Sequence, residues 1–195
     1  KVAALAKAMG VESEISLHKT MSLGTSGMTV LDQATGYLVF ATGGLSGSRH
    51  AFSQLSSNTG ELLWDFNRDG KKPVRVLSEE ASTGMNNMLT AVTEAGTGRR
   101  AQLPGIRVAG KTGTTQAYRD AWFVGYTGHL TAGVWIGNDA GKPMNRATGG
   151  SLPADIARTA DDVARRGSTP LAVADGASVL GIVELKDIVK SGIRD

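Results

Sequence analysis

The segment IRVAGKTGTTQAYRDAWFVGYTGHLTAGVWIG, residues 106–137, determines the fold that we predict for this chain. It contains three runs rich in β-forming residues, Ile106–Lys111, Ala121–Tyr126 and Leu130–Ile136, which are separated by Gly, Thr and Asp. Short runs of this kind, joined by short turns, favour strands that follow one another in an antiparallel meander. We therefore predict a three-stranded antiparallel sheet over this segment.

Helical patterns occupy much of the chain before the sheet. Val2–Met9 is a short amphipathic segment that precedes a glycine. Thr29 is a capping residue at the start of a second helix that ends at Gly43, and Ser78 caps a third helix that ends at Gly96. Apolar residues at helical spacing predict the inward faces of these two helices: Leu31, Ala34, Leu38 and Ala41 in the second, and Ala81, Met85, Met88, Leu89 and Val92 in the third.

Two turn signals predict hairpins. Asn58-Thr59-Gly60 separates two runs of apolar and polar residues between positions 51 and 66. Asp175-Gly176 lies between two apolar runs near the end of the chain, and a short helix is predicted from about Lys186. Helices that precede an antiparallel meander indicate an α/β fold of the α+β type, in which an antiparallel sheet packs with helices and a short β-hairpin/helix tail follows.

Composition excludes several kinds of site. With 195 residues, of which 41% are hydrophobic, the chain can bury one substantial core, and it has no cysteine for disulfides, thiolate catalysis or cysteine-bound metals. His18, His50 and His129 lack ligand spacing, so we expect no histidine-built metal site, and no cofactor is predicted. The net charge of +3 comes with short basic pairs that lie far apart, which argues against nucleic-acid binding.

The first predicted strand of the sheet combines a positive charge with hydroxyl groups and glycines. Gly110 and Gly113 leave room for a peptide to lie close to the backbone. Lys111 offers an ammonium group, and Thr112 and Thr114 offer hydroxyl donors, which together suit the terminal carboxylate of a peptide. The strand is therefore a candidate substrate-binding edge, and the alternative is a plain strand end with a turn glycine. Strict alternation sends Lys111 and Thr112 to opposite faces, so both serve one site only if the strand is twisted or lies at an edge.

A family resemblance favours the substrate-binding interpretation. Lys111-Thr112-Gly113-Thr114-Thr115, the segment 120–127 and the Gly-Val-Trp-x-Gly strand at 133–137 occur in the same order as in penicillin-binding transpeptidases of the bifunctional class. Those proteins join a glycosyltransferase to a transpeptidase, and this segment resembles their third active-site motif. Other segments extend the resemblance over about residues 2–156: Ser22 to Ser26, Thr29 to Gly44, Glu94 to Ala101, and Thr148-Gly149-Gly150 with Leu152-Pro153-Ala154.

The resemblance implies a serine acyltransferase that cross-links the stem peptides of peptidoglycan and is trapped by β-lactams. It assigns to Lys111 the role of holding the substrate carboxylate, and it assigns to the hydroxyls of Thr112 and Thr114 the binding of the same group. The backbone N–H of Thr114 would form half of an oxyanion hole. The parent protein is expected in the cytoplasmic membrane with this domain on its outer side. The chain itself is expected to be soluble, because no apolar run approaches about 18 residues.

The serine nucleophile that such an enzyme needs is expected outside this chain. A nucleophilic serine and its lysine base share one face of a helix, one turn apart. Ser16-Leu17-His18-Lys19 and Ser56-Ser57-Asn58 precede Lys111 in the right order. We reject both, because the first falls in a segment that resembles one downstream of the true motifs, and the second falls in a predicted hairpin turn. No residue is therefore assigned as catalytic. The nucleophile is expected before Lys1, in an N-terminal half of the domain, and the fragment alone is expected to be inactive.

The C-terminal tail carries a different resemblance. Residues 164–171 and 179–190 look like the catalytic subunit of the potassium-transporting P-type ATPase, where its nucleotide-binding domain returns to its phosphorylation domain. We therefore predict a partial transpeptidase domain at 1–158 and an appended segment at 159–195. The ATPase phosphorylates an aspartate before Lys-Thr-Gly-Thr, but Gly110 occupies that position here. Two alternative functions remain, a non-catalytic binding or structural protein that reuses the fold and an ATP-related ATPase fragment.

Neighbours of the candidate strand are predicted to be structural. Arg119 and Asp120 are expected to pair with each other or to cap the turn into the next strand. The aromatic residues of the sheet are expected to pack in the core or across the strands instead of stacking on a ligand. These aromatic residues are Trp122, Phe123, Tyr126 and Trp135.

Overall fold

The computed structural model describes residues 1–165, 169–175 and 178–185, the last two ranges as backbone strands only. It has the predicted mixed α/β architecture of helices and antiparallel sheets. The chain divides into two compact units, residues 1–87 and 88–195. Among the described residues, no helix combines the length and the apolar character that a membrane span requires.

The elements of the first unit follow the predicted order: α1 is Val2–Ala8, α2 is Val30–Ala41, β1 is Gln54–Ser56, β2 is Leu62–Asp65 and α3 is Phe66–Asp69. The Oγ1 of Thr29 accepts a hydrogen bond from the backbone N–H of Asp32 at 3.1 Å, so Thr29 caps α2 as predicted. The N–H of Gly60 donates to the carbonyl of Ser57 at 3.0 Å in the turn between β1 and β2, which confirms the first hairpin. The short helix α3 was not predicted, and Asp65 caps it.

The buried face of α2 differs from the predicted one. Leu31, which we placed on the inward face, is 57% exposed, and Asp32, Thr35 and Val39 are buried instead. Asp32 and Thr35 turn inward because both accept hydrogen bonds from the side chain of Arg49. The apolar pattern alone could not predict this, because it assigns no inward role to polar residues.

Hydrogen bonds to the Asp32 carboxylate hold several segments of the first unit together. Its oxygens accept from the N–H of Glu12 at 3.0 Å, from the N–H of Ser13 at 3.1 Å, from the Ser13 hydroxyl and from the Arg49 guanidinium. Arg49 also donates to the carbonyl of Gly10 at 2.9 Å. Burial by itself raises the pKa of Asp32, but the hydrogen bonds from Ser13, Glu12 and Arg49 outweigh it and hold the pKa well below its usual value.

The helix α4, Glu79–Glu94, begins in the first unit and ends in the second. The Oγ of Ser78 accepts from the N–H of Ala81 at 3.2 Å, as expected of a cap. The second unit continues with β3 at Ala109–Thr114, β4 at Asp120–Tyr126, β5 at Thr131–Gly137, α5 at Leu152–Arg165, β6 at Thr169–Asp175 and β7 at Ser178–Leu185. The strands β3, β4 and β5 pair antiparallel in that order, which confirms the predicted meander.

The first strand of the meander begins later than predicted. We placed its start at Ile106, whereas β3 begins at Ala109. The N–H of Ile106 donates to the carbonyl of Leu103 at 3.3 Å, and Gly105 between them has a φ of 72°. Residues 103–106 therefore form a turn that delays the strand.

The inward face of α4 also includes polar residues that the apolar pattern omits. Met88, predicted to face inward, is 60% exposed, whereas Leu89 and Thr93 are buried. The hydroxyl of Thr93 donates to the carbonyl of Val108 at 2.6 Å. A buried hydroxyl that finds such an acceptor is stabilising, so Thr93 ties the end of α4 to the residue before β3.

An apolar core lies between the sheet and α5. Phe123 in β4 is 1% exposed and is the largest fully buried side chain of the described residues. Its cluster includes Ala101 and two residues of α5, Ala154 and Ala157. A second cluster packs α5 against the other end of the sheet face that carries Phe123. It consists of Ala121, Ile136, Met144 and Ile156.

The tail forms a hairpin of its own. The strands β6 and β7 pair antiparallel, with Thr169 opposite Leu185 and Asp175 opposite Ser178. This pairing confirms the second predicted hairpin. The turn residues 176–177 and the helix predicted from about Lys186 lie outside the described residues.

Candidate functional site

The strand β3, which carries the candidate residues, lies at an edge of the three-stranded sheet. Lys111 is opposite Val124 of β4, and Thr112 is opposite Phe123. The two side chains therefore leave the strand on opposite faces, as alternation predicts. Among the strands that the structure describes, none pairs with β3 on its outer side, so both faces border the same open edge. Lys111 is exposed, and its Nζ donates to the carbonyl of Thr112 at 2.8 Å.

The edge also presents backbone groups. The N–H of Thr115 donates to the carbonyl of Asp120 at 3.0 Å, so the backbone of Thr115 points toward β4. In an antiparallel pair, successive N–H groups along a strand point alternately toward the partner and away from it. The N–H of Thr114 therefore points away from β4, toward the open edge. This is the direction that an oxyanion-hole donor at this position requires.

The two candidate hydroxyls lie on the same face, and each has a partner within the protein. The Oγ1 of Thr112 is 2.6 Å from the Oγ1 of Thr97, in the turn that follows α4. The Oγ1 of Thr114 accepts a hydrogen bond from the backbone N–H of Gly149 at 3.1 Å. Thr114 is exposed and Thr112 is half-buried. Sequence analysis identified Thr112 and Thr114 but gave no role to Thr97 or Gly149.

The segment 148–150 lies directly against β3, and glycine makes this possible. A Cβ atom at position 149 would overlap the carbonyl oxygen of Trp122 and would lie 2.6 Å from the carbonyl oxygen of Gly113. A Cβ atom at position 150 would overlap the carbonyl oxygen of Thr97. The paired glycines are the signal in the sequence that could have indicated a close backbone approach.

The position before Lys111 cannot hold the aspartate of a P-type ATPase. A Cβ atom at Gly110 would lie 2.7 Å from Cζ of Phe123 and 2.8 Å from the carbonyl oxygen of Val124. Both neighbours belong to the buried β4 strand, so neither can move away without disrupting the core. Packing therefore requires a glycine at position 110. This glycine also lacks the carboxylate that the ATPase phosphorylates.

Asp120 has the structural role that we predicted. Its Oδ2 accepts from the hydroxyl of Thr115 at 3.0 Å, and its own N–H donates to the same hydroxyl at 2.8 Å. Its Oδ1 accepts from Nε1 of Trp135 at 3.0 Å. Asp120 therefore caps the turn between β3 and β4 and anchors an indole ring.

The aromatic residues of the sheet are also structural, as predicted. Phe123 and Tyr126 are buried. Trp122 and Trp135 lie opposite each other on neighbouring strands, with ring centroids 6.4 Å apart. Cross-strand pairs of this kind stabilise a sheet.

The two serine motifs of the first unit do not have the geometry of a nucleophile and its base. The segment from Ser16 to Lys19 is not helical, and the N–H of Ser16 donates to the Oγ of Ser26 at 3.0 Å. Ser16 and Lys19 therefore do not share a helical face. Asn58 lies in the turn of the β1–β2 hairpin, as predicted. Both observations support the rejection of these motifs. Within the described residues, no group of three or more His, Asp or Glu side chains is arranged to hold a metal ion.

Comparison with known proteins agrees with these features. Residues 7–160 match the family described as the penicillin binding protein transpeptidase domain. The chain is 32% identical over 129 residues to penicillin-binding protein 4 of Bacillus subtilis, covering 66% of this chain and 20% of that protein. It is 33% identical over 145 residues to penicillin-binding protein 1A of Aquifex aeolicus, covering 74% of this chain and 19% of that protein.

A solved structure gives the same result for the fold. The protein PonA1 from Mycobacterium tuberculosis, solved in complex with penicillin V, is similar with a TM-score of 0.75 and 25% identity, over 94% of this chain and 54% of that one. The chain thus spans about a fifth of the two relatives named above and about half of the PonA1 structure. Since the family match covers most of its length, this chain belongs to the penicillin-binding protein transpeptidase domain family.

Proposed function

We propose that this chain supplies the peptide-binding strand of a peptidoglycan D,D-transpeptidase, a serine acyltransferase that cross-links stem peptides and is the target of β-lactams. The observation that carries the proposal is the position of Lys111, Thr112 and Thr114 on an exposed edge strand of a family member. An incoming peptide can add to such an edge through its backbone. The partners proposed for the parent enzyme are therefore stem peptides and β-lactams.

The chemistry of the edge suits a terminal carboxylate. A carboxylate only accepts hydrogen bonds, and charged donors bind it more strongly than neutral ones. Lys111 offers an exposed ammonium group, and Thr112 and Thr114 offer hydroxyl groups on the opposite face of the same edge strand. The outward N–H of Thr114 would stabilise the oxyanion of the acyl-transfer step, to which one such donor contributes about 3 kcal/mol.

The attacking serine is proposed to come from polypeptide outside this chain, either before Lys1 or from another chain. Support comes from the non-helical geometry of Ser16 and Lys19. It comes also from the surface of the first unit, where large apolar residues such as Leu17 and Leu23 are 82% and 81% exposed. Exposed apolar surface is typical of a region that another polypeptide covers. The chain alone is therefore expected to bind weakly and not to turn over substrate. We also propose, on the family resemblance, that the parent protein is anchored in the cytoplasmic membrane with this domain on its outer side.

Binding of the tripeptide acetyl-lysyl-D-alanyl-D-alanine, compared with its C-terminal amide, tests the proposal. We expect the native chain to prefer the free acid, and Lys111→Met to weaken binding of the acid about tenfold, because a charge-assisted hydrogen bond is lost. The matched control is Lys142→Met, which removes an exposed lysine outside the strand and should leave the affinity unchanged. Equal binding of acid and amide, or equal effects of the two substitutions, would contradict the proposal.

Residues 159–195 are proposed to be a separate segment related to the potassium-transporting P-type ATPase. The family match ends at residue 160, and β6 and β7 form their own two-stranded sheet, which support a change of origin near this point. The helix α5 runs through the boundary, and its Asp161 accepts from the hydroxyl of Thr127 at 3.2 Å. Since the segment is too short for a nucleotide site, ATP should not raise the melting temperature of the chain, and a rise would favour the ATP-related alternative.

A further inference from the structure

The two candidate hydroxyls can bind a carboxylate only if each keeps its proton free for that purpose. A hydroxyl group has one O–H donor and two acceptor positions. A carboxylate accepts hydrogen bonds and donates none, so Thr112 and Thr114 must both donate to it. The internal partner of each hydroxyl must then be a donor.

At Thr114 this condition is met by the backbone. The N–H of Gly149 donates to Oγ1 of Thr114 at 3.1 Å, and an N–H group cannot accept in return. The proton of the Thr114 hydroxyl therefore remains available at the open edge. Gly149 can come this close because it has no side chain to meet the carbonyl oxygens of Trp122 and Gly113.

At Thr112 the condition depends on a second side chain. The Oγ1 atoms of Thr97 and Thr112 are 2.6 Å apart, and either can be the donor. If Thr112 donates, its proton is used within the protein. If Thr97 donates, the proton of Thr112 is free for a ligand, and the two hydroxyls form a chain in which each bond polarises the next.

We infer that Thr97 and the backbone N–H of Gly149 are positioning groups that donate to Thr112 and Thr114 and so direct both threonine hydroxyls outward, toward the carboxylate of a bound peptide. This inference rests on the function proposed above and adds two residues to it. The close contact of Gly150 with the carbonyl of Thr97 fixes the turn that carries the Thr97 hydroxyl. The segment 148–150 thus holds both positioning groups against the face of β3 that carries Thr112 and Thr114.

The test compares three substitutions at Thr97 by NMR titration with acetyl-lysyl-D-alanyl-D-alanine and with its C-terminal amide. Thr97→Val keeps the shape and removes the hydroxyl, and Thr97→Ala removes it without adding bulk. Both should lower the ratio of acid to amide affinity about fivefold, the effect of losing one hydrogen bond. Thr97→Ser keeps the hydroxyl and should stay within about twofold of the native ratio. Thr97 is exposed, so these substitutions leave the core intact.

The outcomes separate this inference from the proposed function. If the native chain prefers the acid and Thr97→Val and Thr97→Ala retain the native ratio, the positioning role is wrong and the proposed function stands. If the two variants weaken acid and amide equally, Thr97 has only a structural role and the inference is also wrong. If the native chain shows no preference for the acid, the proposed function itself fails, and the inference fails with it.

Discussion

Residues 1–87 bury three hydrophobic side chains, Met9, Val11 and Val39, whereas residues 88–165 bury a larger set that includes Phe123 and Ile136. Ten large hydrophobic residues of the first range are exposed. The first range is instead held by hydrogen bonds to one buried carboxylate, and the second by packing of α5 on the sheet. The candidate strand β3 therefore belongs to the region with the larger apolar core. A binding edge needs such a rigid support.

Removing core packing beneath β3 should lower the free energy of unfolding more than any other change that we predict. Phe123→Ala should lower the free energy of unfolding by about 4 kcal/mol, because it removes a fully buried aromatic ring and leaves a cavity. The matched control in the first range is Phe52→Ala, whose ring is 52% exposed, and its cost should stay below about 1 kcal/mol. Urea denaturation measures both. Similar costs for the two substitutions would show that the regions do not differ as described.

The next effect concerns the polar network of the first range. Asp32→Asn should cost about 3 kcal/mol, because it removes the buried charge beside the Arg49 guanidinium and leaves only the ion pair with the exposed Glu12 at 3.4 Å. Hydrogen exchange followed by mass spectrometry should show faster exchange in segments 10–13 and 30–41, with little change in β4. Glu79→Gln is the control, since that side chain is 84% exposed in its ion pair with Arg75 and should contribute little. Faster exchange throughout β4 would contradict a role of the Asp32 network that is confined to the first range.

A smaller effect is expected from acid. Because the folded-state pKa of Asp32 is lowered, its contribution to stability is complete above the unfolded-state value of about 4 and is lost as the pH falls toward the folded-state pKa. Between pH 5 and pH 3 the loss should be about 1 kcal/mol. Exchange rates of segments 10–13 and 30–41, corrected for intrinsic rates, should rise in this range, and Asp32→Asn should remove that part of the pH dependence. If the exchange rates of Asp32→Asn depended on pH as those of the native chain do, other groups would be responsible for the acid sensitivity.

The sequence predicted the features that depend on neighbouring residues. The order of β3, β4 and β5, both hairpins and the caps at Thr29 and Ser78 follow from local patterns, and the structure contains each of them. The strand that carries Lys111 was found in the same way. Its start was wrong by three residues because the turn at Gly105 was missed.

The features that sequence analysis missed depend on residues far apart in the chain. Asp32 meets Arg49 across 17 positions, and Thr97 meets Thr112 across 15. Such pairs form only when the tertiary fold brings them together, and a polar residue at helical spacing gives no sign of burial. This explains why Leu31 was assigned to the inside and why Thr97 received no role.

The central proposal is that this chain carries the recognition strand of an acyltransferase whose nucleophilic serine lies outside it. The most direct measurement is the intact mass of the chain after incubation with penicillin V, beside a complete penicillin-binding protein as a positive control. We expect the control to gain the mass of the acyl group and this chain to remain unmodified. A stoichiometric gain of mass on this chain, mapped by peptide analysis to Ser16 or another serine, would contradict the account.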